Sequence, residues 1–187
     1  MQKTSQNSDN QNNKVDVTMA NPEFARFRNI VNILRSENGC PWDREQTHTT
    51  LKKGCIEEAC EVVCGINIYD KTGVADNLKE ELGDLLLQIV MHAQIAEEEG
   101  LFTMEDVCKG IADKMVRRHP HVFGTTEVSD SEEVLKNWEE IKKSEHAGET
   151  VDVNAHLFEA FDESKDLIDV AIKRKREKLT MSGKKYQ

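Results

Sequence analysis

The chain has 187 residues, enough for one domain with a real core and little room for a second. Its formal net charge of -10 opposes non-specific attraction to nucleic acid or to an anionic membrane, so any phosphate-bearing ligand must be met by local basic groups or by metal. Five cysteines, an odd number without the dense spacing of a secreted disulfide scaffold, fit a reducing compartment.

Residues 1–20 are mostly Gln, Asn, Ser and Asp, which predicts a disordered polar tail because they cannot bury enough surface to offset chain entropy. They lack the apolar stretch of a signal peptide and the arginines of a transit peptide, and no segment approaches the length of a membrane span, so the expected location is cytoplasmic. A first helix is predicted after the cap and first-turn pair Asn21-Pro22, with Phe24, Phe27, Ile30, Val31 and Leu34 at helical spacing and a stop near Asn38-Gly39. The segment Cys40-Pro41-Trp42-Asp43 reads as a non-helical connection. A second helix is predicted from about Leu51 to Tyr69, followed by a short turn around Lys71-Thr72-Gly73. The third runs from Asp76 to about Glu99, gathers Leu78, Leu82, Leu85, Leu86, Ile89, Val90 and Ala93 on one side, and stops at Gly100. A fourth starts after Thr103 and carries Val107, Ile111 and Met115 to a break at His119-Pro120. The fifth spans roughly Ser131 to Glu145, and residues 146–187 are expected to be helical, as one or two helices, or partly disordered before a basic end. With no strand pairing legible, the predicted fold class is all-α, with residues 21–145 as the domain.

Two acidic clusters stand out, Glu57-Glu58-Ala59-Cys60-Glu61 and Glu80-Glu81-Leu82-Gly83-Asp84. Carboxylates three apart on a helix share a face. At 100° per residue, Glu58 lies at the margin of the apolar face of the second helix with Glu61 beside it, and Glu81 and Asp84 hold the same positions on the third; Glu57 and Glu80 point further out. The short connection makes these helices antiparallel neighbours, so Glu58, Glu61, Glu81 and Asp84 are the four best placed to converge. Oxygen donors in that number suit Mg²⁺, with Mn²⁺ as a substitute. The competing reading is a pair of solvated acidic faces on an acidic protein.

These residues resemble the MazG family of nucleoside triphosphate pyrophosphohydrolases, whose mark is Glu-Glu-x-x-Glu followed by Glu-x-x-Asp, here Glu57-Glu58-x-x-Glu61 and Glu81-x-x-Asp84. The likeness extends to Gly39-Cys40-Pro41-Trp42-Asp43, Gly83 to Gln88, Glu98-Glu99-Gly100 and Arg117 to Phe123, and covers about Phe24 to Lys143. It implies a helical bundle of the all-α NTP pyrophosphatase type, usually a homodimer, in which Mg²⁺ held by the four acids grips a triphosphate while water attacks the α-phosphate, releasing nucleoside monophosphate and pyrophosphate. Glu57 and Glu61 are then candidates for catalysis, and Lys114, Arg117, Arg118, Trp138 and Lys142 for nucleotide binding. Helix-end charge complementarity for the basic residues, and core packing for Trp138, are the plainer alternatives.

Residues 146–187 lack the landmarks that follow the tryptophan helix in the family, and Lys173-Arg174-Lys175-Arg176 reads as a solvated helix end. A zinc clip built from Cys60, Cys64 and His48 or His92 has little support without a Cys-x-x-Cys pair. Two alternatives to a general pyrophosphohydrolase stay open: a relative narrowed to dCTP or a phosphoribosyl nucleotide, and a non-catalytic nucleotide-binding scaffold.

Overall fold

A computed structural model of the chain describes residues 21–145 and 151–181, and every regular element in them is a helix. The expected tail over 1–20 lies outside the described residues. The helices are α1 (Pro22–Arg35), α2 (Pro41–Arg44), α3 (His48–Thr72), α4 (Asp76–Glu98), α5 (Met104–Arg118), α6 (Pro120–Phe123), α7 (Ser131–Glu145) and α8 (Val153–Met181). They fall into two compact units, one made of Glu23–Lys109 with residues 151–181 and the other of residues 110–145, and each is described by itself.

In the larger unit, local chemistry sets the helix ends. Thr47 and Thr50 form a reciprocal box at the start of α3: the Thr47 hydroxyl accepts from the Thr50 amide at 3.2 Å, and the Thr50 hydroxyl accepts from the Thr47 amide at 2.9 Å. This box starts α3 at His48, three residues before the periodicity suggested. The helix stops where Gly73 takes φ 74°, a left-handed conformation that lets its amide reach the Tyr69 carbonyl at 2.8 Å. At α5 the same logic works through Thr103 and Asp106, whose side chains each accept from the other's amide. The connection expected after Gly39 contains instead one helical turn, α2, because Pro41 supplies a pre-set φ at its first position. The C-terminal segment forms one long helix, α8, begun by Asp152, whose carboxylate accepts from the amides of Asn154 and Ala155.

The core gathers Val31 of α1, Leu51 of α3, Val90, Met91, Ala93 and Ile95 of α4, and Met104 of α5, with Phe24, Phe27, Leu87 and Val107 packed against them. It therefore occupies the C-terminal half of α4. Leu82 in the N-terminal half and Ile89 just past the middle stay exposed although periodicity placed them on the core side, as do Val63 and Ile66 of α3, because no further element among the described residues covers them. α3 and α4 pack along their lengths as a hairpin, and α8 lies against α3. The backbones of the hairpin come close at Gly65, where a Cβ would sit 2.8 Å from the Leu78 Cα. Gly65→Ala is expected to lower stability by about 1–2 kcal/mol through separation of the two helices, measurable as a shifted denaturant midpoint at unchanged m.

In the smaller unit, α7 starts with Asp130 accepting from the Glu133 amide at 2.9 Å while the Glu133 carboxylate accepts from the Ser129 amide at 2.9 Å. This exchange starts α7 at Ser131, where the sequence predicted it. The break at His119-Pro120 is followed by one further turn, α6.

Candidate metal centre

Two successive helices carry the acids, and a connection of three residues folds them back on each other. The register this creates puts one carboxylate oxygen each of Glu58, Glu61 and Glu81 within 4.8 Å of one another. Glu81 is held in place from its own helix by Asn77, whose side-chain amide donates to it at 2.8 Å. Burial pushes the Glu58 carboxyl above the usual carboxylate range, and the charges of Glu61, Asp84, Glu81 and Glu57 push it further in the same direction. Asp84 thus belongs to the electrostatic field of the group but is not part of the tight triad; it is exposed on α4.

The donor set fits a hard divalent cation. Around an octahedral Mg²⁺ adjacent oxygens lie about 2.9 Å apart and opposite ones about 4.2 Å, so oxygens lying within 4.8 Å of one another would draw together to share one ion. Three carboxylates drawn together repel one another, and a divalent cation among them would lower that energy.

Of the two remaining acids, one departs from expectation. Glu80 is exposed, as its helical angle predicted. Glu57, expected to point outward, is covered: its side chain is 11 % exposed and accepts from the Arg174 guanidinium of α8 at 2.5 Å. The neighbouring Lys175 ammonium pairs with Glu61, one of the triad. The basic run read from sequence as a solvated helix end is therefore engaged with the acids. Its signal in the sequence was the apolar spacing of Leu167, Ile168 and Ile172, which requires a covering surface and so delivers the following residues to one.

The basic and aromatic candidates lie in the smaller unit. Arg118 is buried, donates to Glu145 at 2.6 and 3.0 Å, and places its guanidinium 5.0 Å from the centre of the Trp138 ring. His119 meets Trp138 edge-on, with ring centres 5.0 Å apart. Arg117 also pairs with Glu145. The hydrogen bond from Arg118, then its charge, then Arg117, hold the Glu145 carboxyl below the usual range. Arg117, Arg118 and Trp138 thus have structural partners, whereas half-buried Lys114 and exposed Lys142 form no ion pair among the described residues.

His48 and His92 stack at 5.0 Å with Nδ1 atoms 2.7 Å apart, and Cys55 Sγ lies 3.3 Å from His92 Nε2. These groups hydrogen-bond to one another, whereas Cys60 and Cys64 are exposed elsewhere on α3.

Residues 46–123 match the model of the MazG nucleotide pyrophosphohydrolase domain. The chain is 55 % identical over 123 residues to the uncharacterized protein YabN of Bacillus subtilis (strain 168), a match covering 66 % of this chain and 24 % of that protein. It is 49 % identical over 126 residues to the nucleoside triphosphate pyrophosphohydrolase of Escherichia coli (strain K12), covering 67 % of this chain and 46 % of the relative. To the nucleoside triphosphate pyrophosphohydrolase/pyrophosphatase MazG of Thermotoga maritima it is 48 % identical over 122 residues, covering 65 % and 45 % respectively. The chain thus spans less than half the length of these curated relatives. The matched segment contains Glu57, Glu58, Glu61, Glu81 and Asp84, and through it this chain carries a MazG-family nucleotide pyrophosphohydrolase domain, as the motif resemblance implied.

Proposed function

We propose that the chain hydrolyses nucleoside triphosphates to nucleoside monophosphate and pyrophosphate in a reaction that depends on Mg²⁺, with Mn²⁺ as a substitute. The observation that carries this reading is the convergence of Glu58, Glu61 and Glu81 inside the matched domain. Bound divalent metal would supply neutralisation of phosphate charge and a lowered pKa for a coordinated water. The chain's own part is to hold and orient: Glu58, Glu61 and Glu81 present the oxygens, Asn77 fixes Glu81, and Asp84 adds negative charge beside Glu58. Glu57 and Glu61 are the proposed proton acceptors for the attacking water. Lys114, Arg117, Arg118, Trp138 and Lys142 keep a proposed nucleotide-binding role that rests on the resemblance; of these Lys114 and Lys142 are the ones without a competing ion pair among the described residues.

A homodimer is part of the proposal, supported by the apolar residues Val63, Ile66, Leu82 and Ile89 that α3 and α4 leave exposed. A cytoplasmic location is supported by five cysteines that are all free. No described helix is long and apolar enough to cross a membrane.

The test is product analysis on a panel of ribo- and deoxynucleoside triphosphates, including dCTP, with and without Mg²⁺. Metal-dependent formation of monophosphate and pyrophosphate in equal amounts is expected for at least one of them. Diphosphate and orthophosphate as products, or nucleotide binding without turnover in Mg²⁺, would overturn the reading, the latter in favour of a binding scaffold.

A further inference from the structure

We propose that α8 is a displaceable strap that competes with divalent metal for the acidic centre: Lys175 occupies Glu61 and Arg174 occupies Glu57 when the centre holds no cation, and metal binding lifts the basic end of α8. This inference rests on the metal reading given above and adds a regulatory element to it. The matched domain ends at residue 123, so α8 lies outside the segment that supplies the acids.

Three observations show contacts suited to displacement. The first is where the cations sit. Lys175 pairs with a member of the carboxylate triad, and Arg174 with the acid one residue before Glu58, so the strap and a metal ion address the same anionic charge. The second is the quality of the contact. Between α3 and α8 lies a cavity of about 290 Å³, bounded by Ile56 and Cys60 on one side and Ile168, Ile172 and Leu179 on the other, so the apolar faces that should weld the two helices together enclose a gap there. The third is the cost on the cationic side. Arg174 Nε is buried with no hydrogen-bond partner, a donor that docking takes out of water without replacement. The Lys175–Glu61 pair is partly solvated, at 49 % and 32 % side-chain exposure, and contributes little. Further toward its N-terminus, α8 is fastened to α3 by Lys52 and Glu163 at 2.9 Å, away from the acids. This second fastening lets the basic end lift while the helix stays tethered.

Competition of this kind is reciprocal: the factor by which metal favours the lifted state is the factor by which lifting favours metal. The experiment uses the full chain and Mn²⁺ as the probe, with free Mn²⁺ followed by electron paramagnetic resonance and backbone amide exchange of residues 168–179 followed by mass spectrometry. Saturating Mn²⁺ is expected to speed exchange across 168–179 and to leave the region around Glu163 unchanged. Lys175→Gln is expected to bind Mn²⁺ about two- to fivefold more tightly than wild type, the range set by an exposed ion pair. Lys52→Gln, which removes the pair with Glu163 and leaves the acidic centre untouched, is expected to tighten Mn²⁺ binding by a smaller factor. Tighter binding in Lys175→Gln without any change in α8 exchange would reduce the effect to simple charge removal and overturn the strap. Equal Mn²⁺ affinities in wild type and Lys175→Gln would overturn the strap and leave the metal centre standing. No Mn²⁺ binding by any of the three proteins would overturn both.

Discussion

Glu58→Gln is expected to lower metal-dependent turnover by at least about a hundredfold, equivalent to about 2.7 kcal/mol of barrier, while making the metal-free protein more stable. Both effects have one cause. Glu58 is the acid on which burial and the charges of four neighbours converge, so its ionised form is costly in the folded chain and less so in the unfolded one. The neutral amide keeps the shape and removes that repulsion. The gain is read as a rise in melting temperature in chelator. In the presence of Mg²⁺ the ranking should reverse, because wild type then gains the binding free energy of the ion and the variant gains less. Melting curves in chelator and in Mg²⁺, run beside a pyrophosphate assay, check all three statements. A variant that is inactive yet less stable in chelator would show that Glu58 is structural.

Arg35→Ala is expected to be among the most destabilising single changes, at about 3–4 kcal/mol, or a fall of roughly 6–16 °C in melting temperature. Arg35 ends α1 with a side chain only 5 % exposed, and its guanidinium makes both amine and imine hydrogen bonds to the Glu98 carboxylate at 2.7 and 2.9 Å. Its other amine donates to the backbone carbonyls of Asp43 at 2.5 Å and Gln46 at 3.2 Å. One side chain thus joins the ends of α1 and α4 and the exit of α2. Truncation removes a donor from two carbonyls and from the Glu98 carboxylate, which keeps the Gln94 side-chain amide at 3.2 Å. The pair also has a pH signature. The hydrogen bond from Arg35, ahead of the opposing effect of burial, holds the Glu98 carboxyl below its ordinary value of 4.5. Because the folded-state pKa is the lower one, the stabilisation is present above about pH 4.5 and is lost as pH falls through the folded value. Urea titrations of wild type and Glu98→Gln should therefore differ at pH 7 and draw together toward pH 3.

The helical pattern was legible where side-chain chemistry is local. The caps at Thr103 and the start of α7 at Ser131 needed only neighbouring residues, and so did the facing of Glu58, Glu61 and Glu81, since a three-residue turn leaves two helices little choice of partner. Contacts between distant segments were not legible. Arg35 looks like any helix-terminal arginine until Glu98 arrives from 63 residues away, and Glu57 looks solvent-facing until Arg174 arrives from 117 away. The apolar spacing of α4 gave the right stripe but not its extent of burial: Val90 and Ala93 are covered and Leu82 and Ile89 are not, a difference set by which helices end where rather than by α4 itself.

The hairpin of α3 and α4 carries the whole carboxylate triad, and this has a kinetic corollary. A unit whose contacts run between adjacent helices closes early, because little loop entropy stands in the way. Glu58, Glu61 and Glu81 all precede α8 in the chain, so during synthesis they emerge, and can meet dissolved cations, before Lys175 does. The order in which the chain emerges gives the ion the first encounter and leaves the helix to arrive as the later competitor.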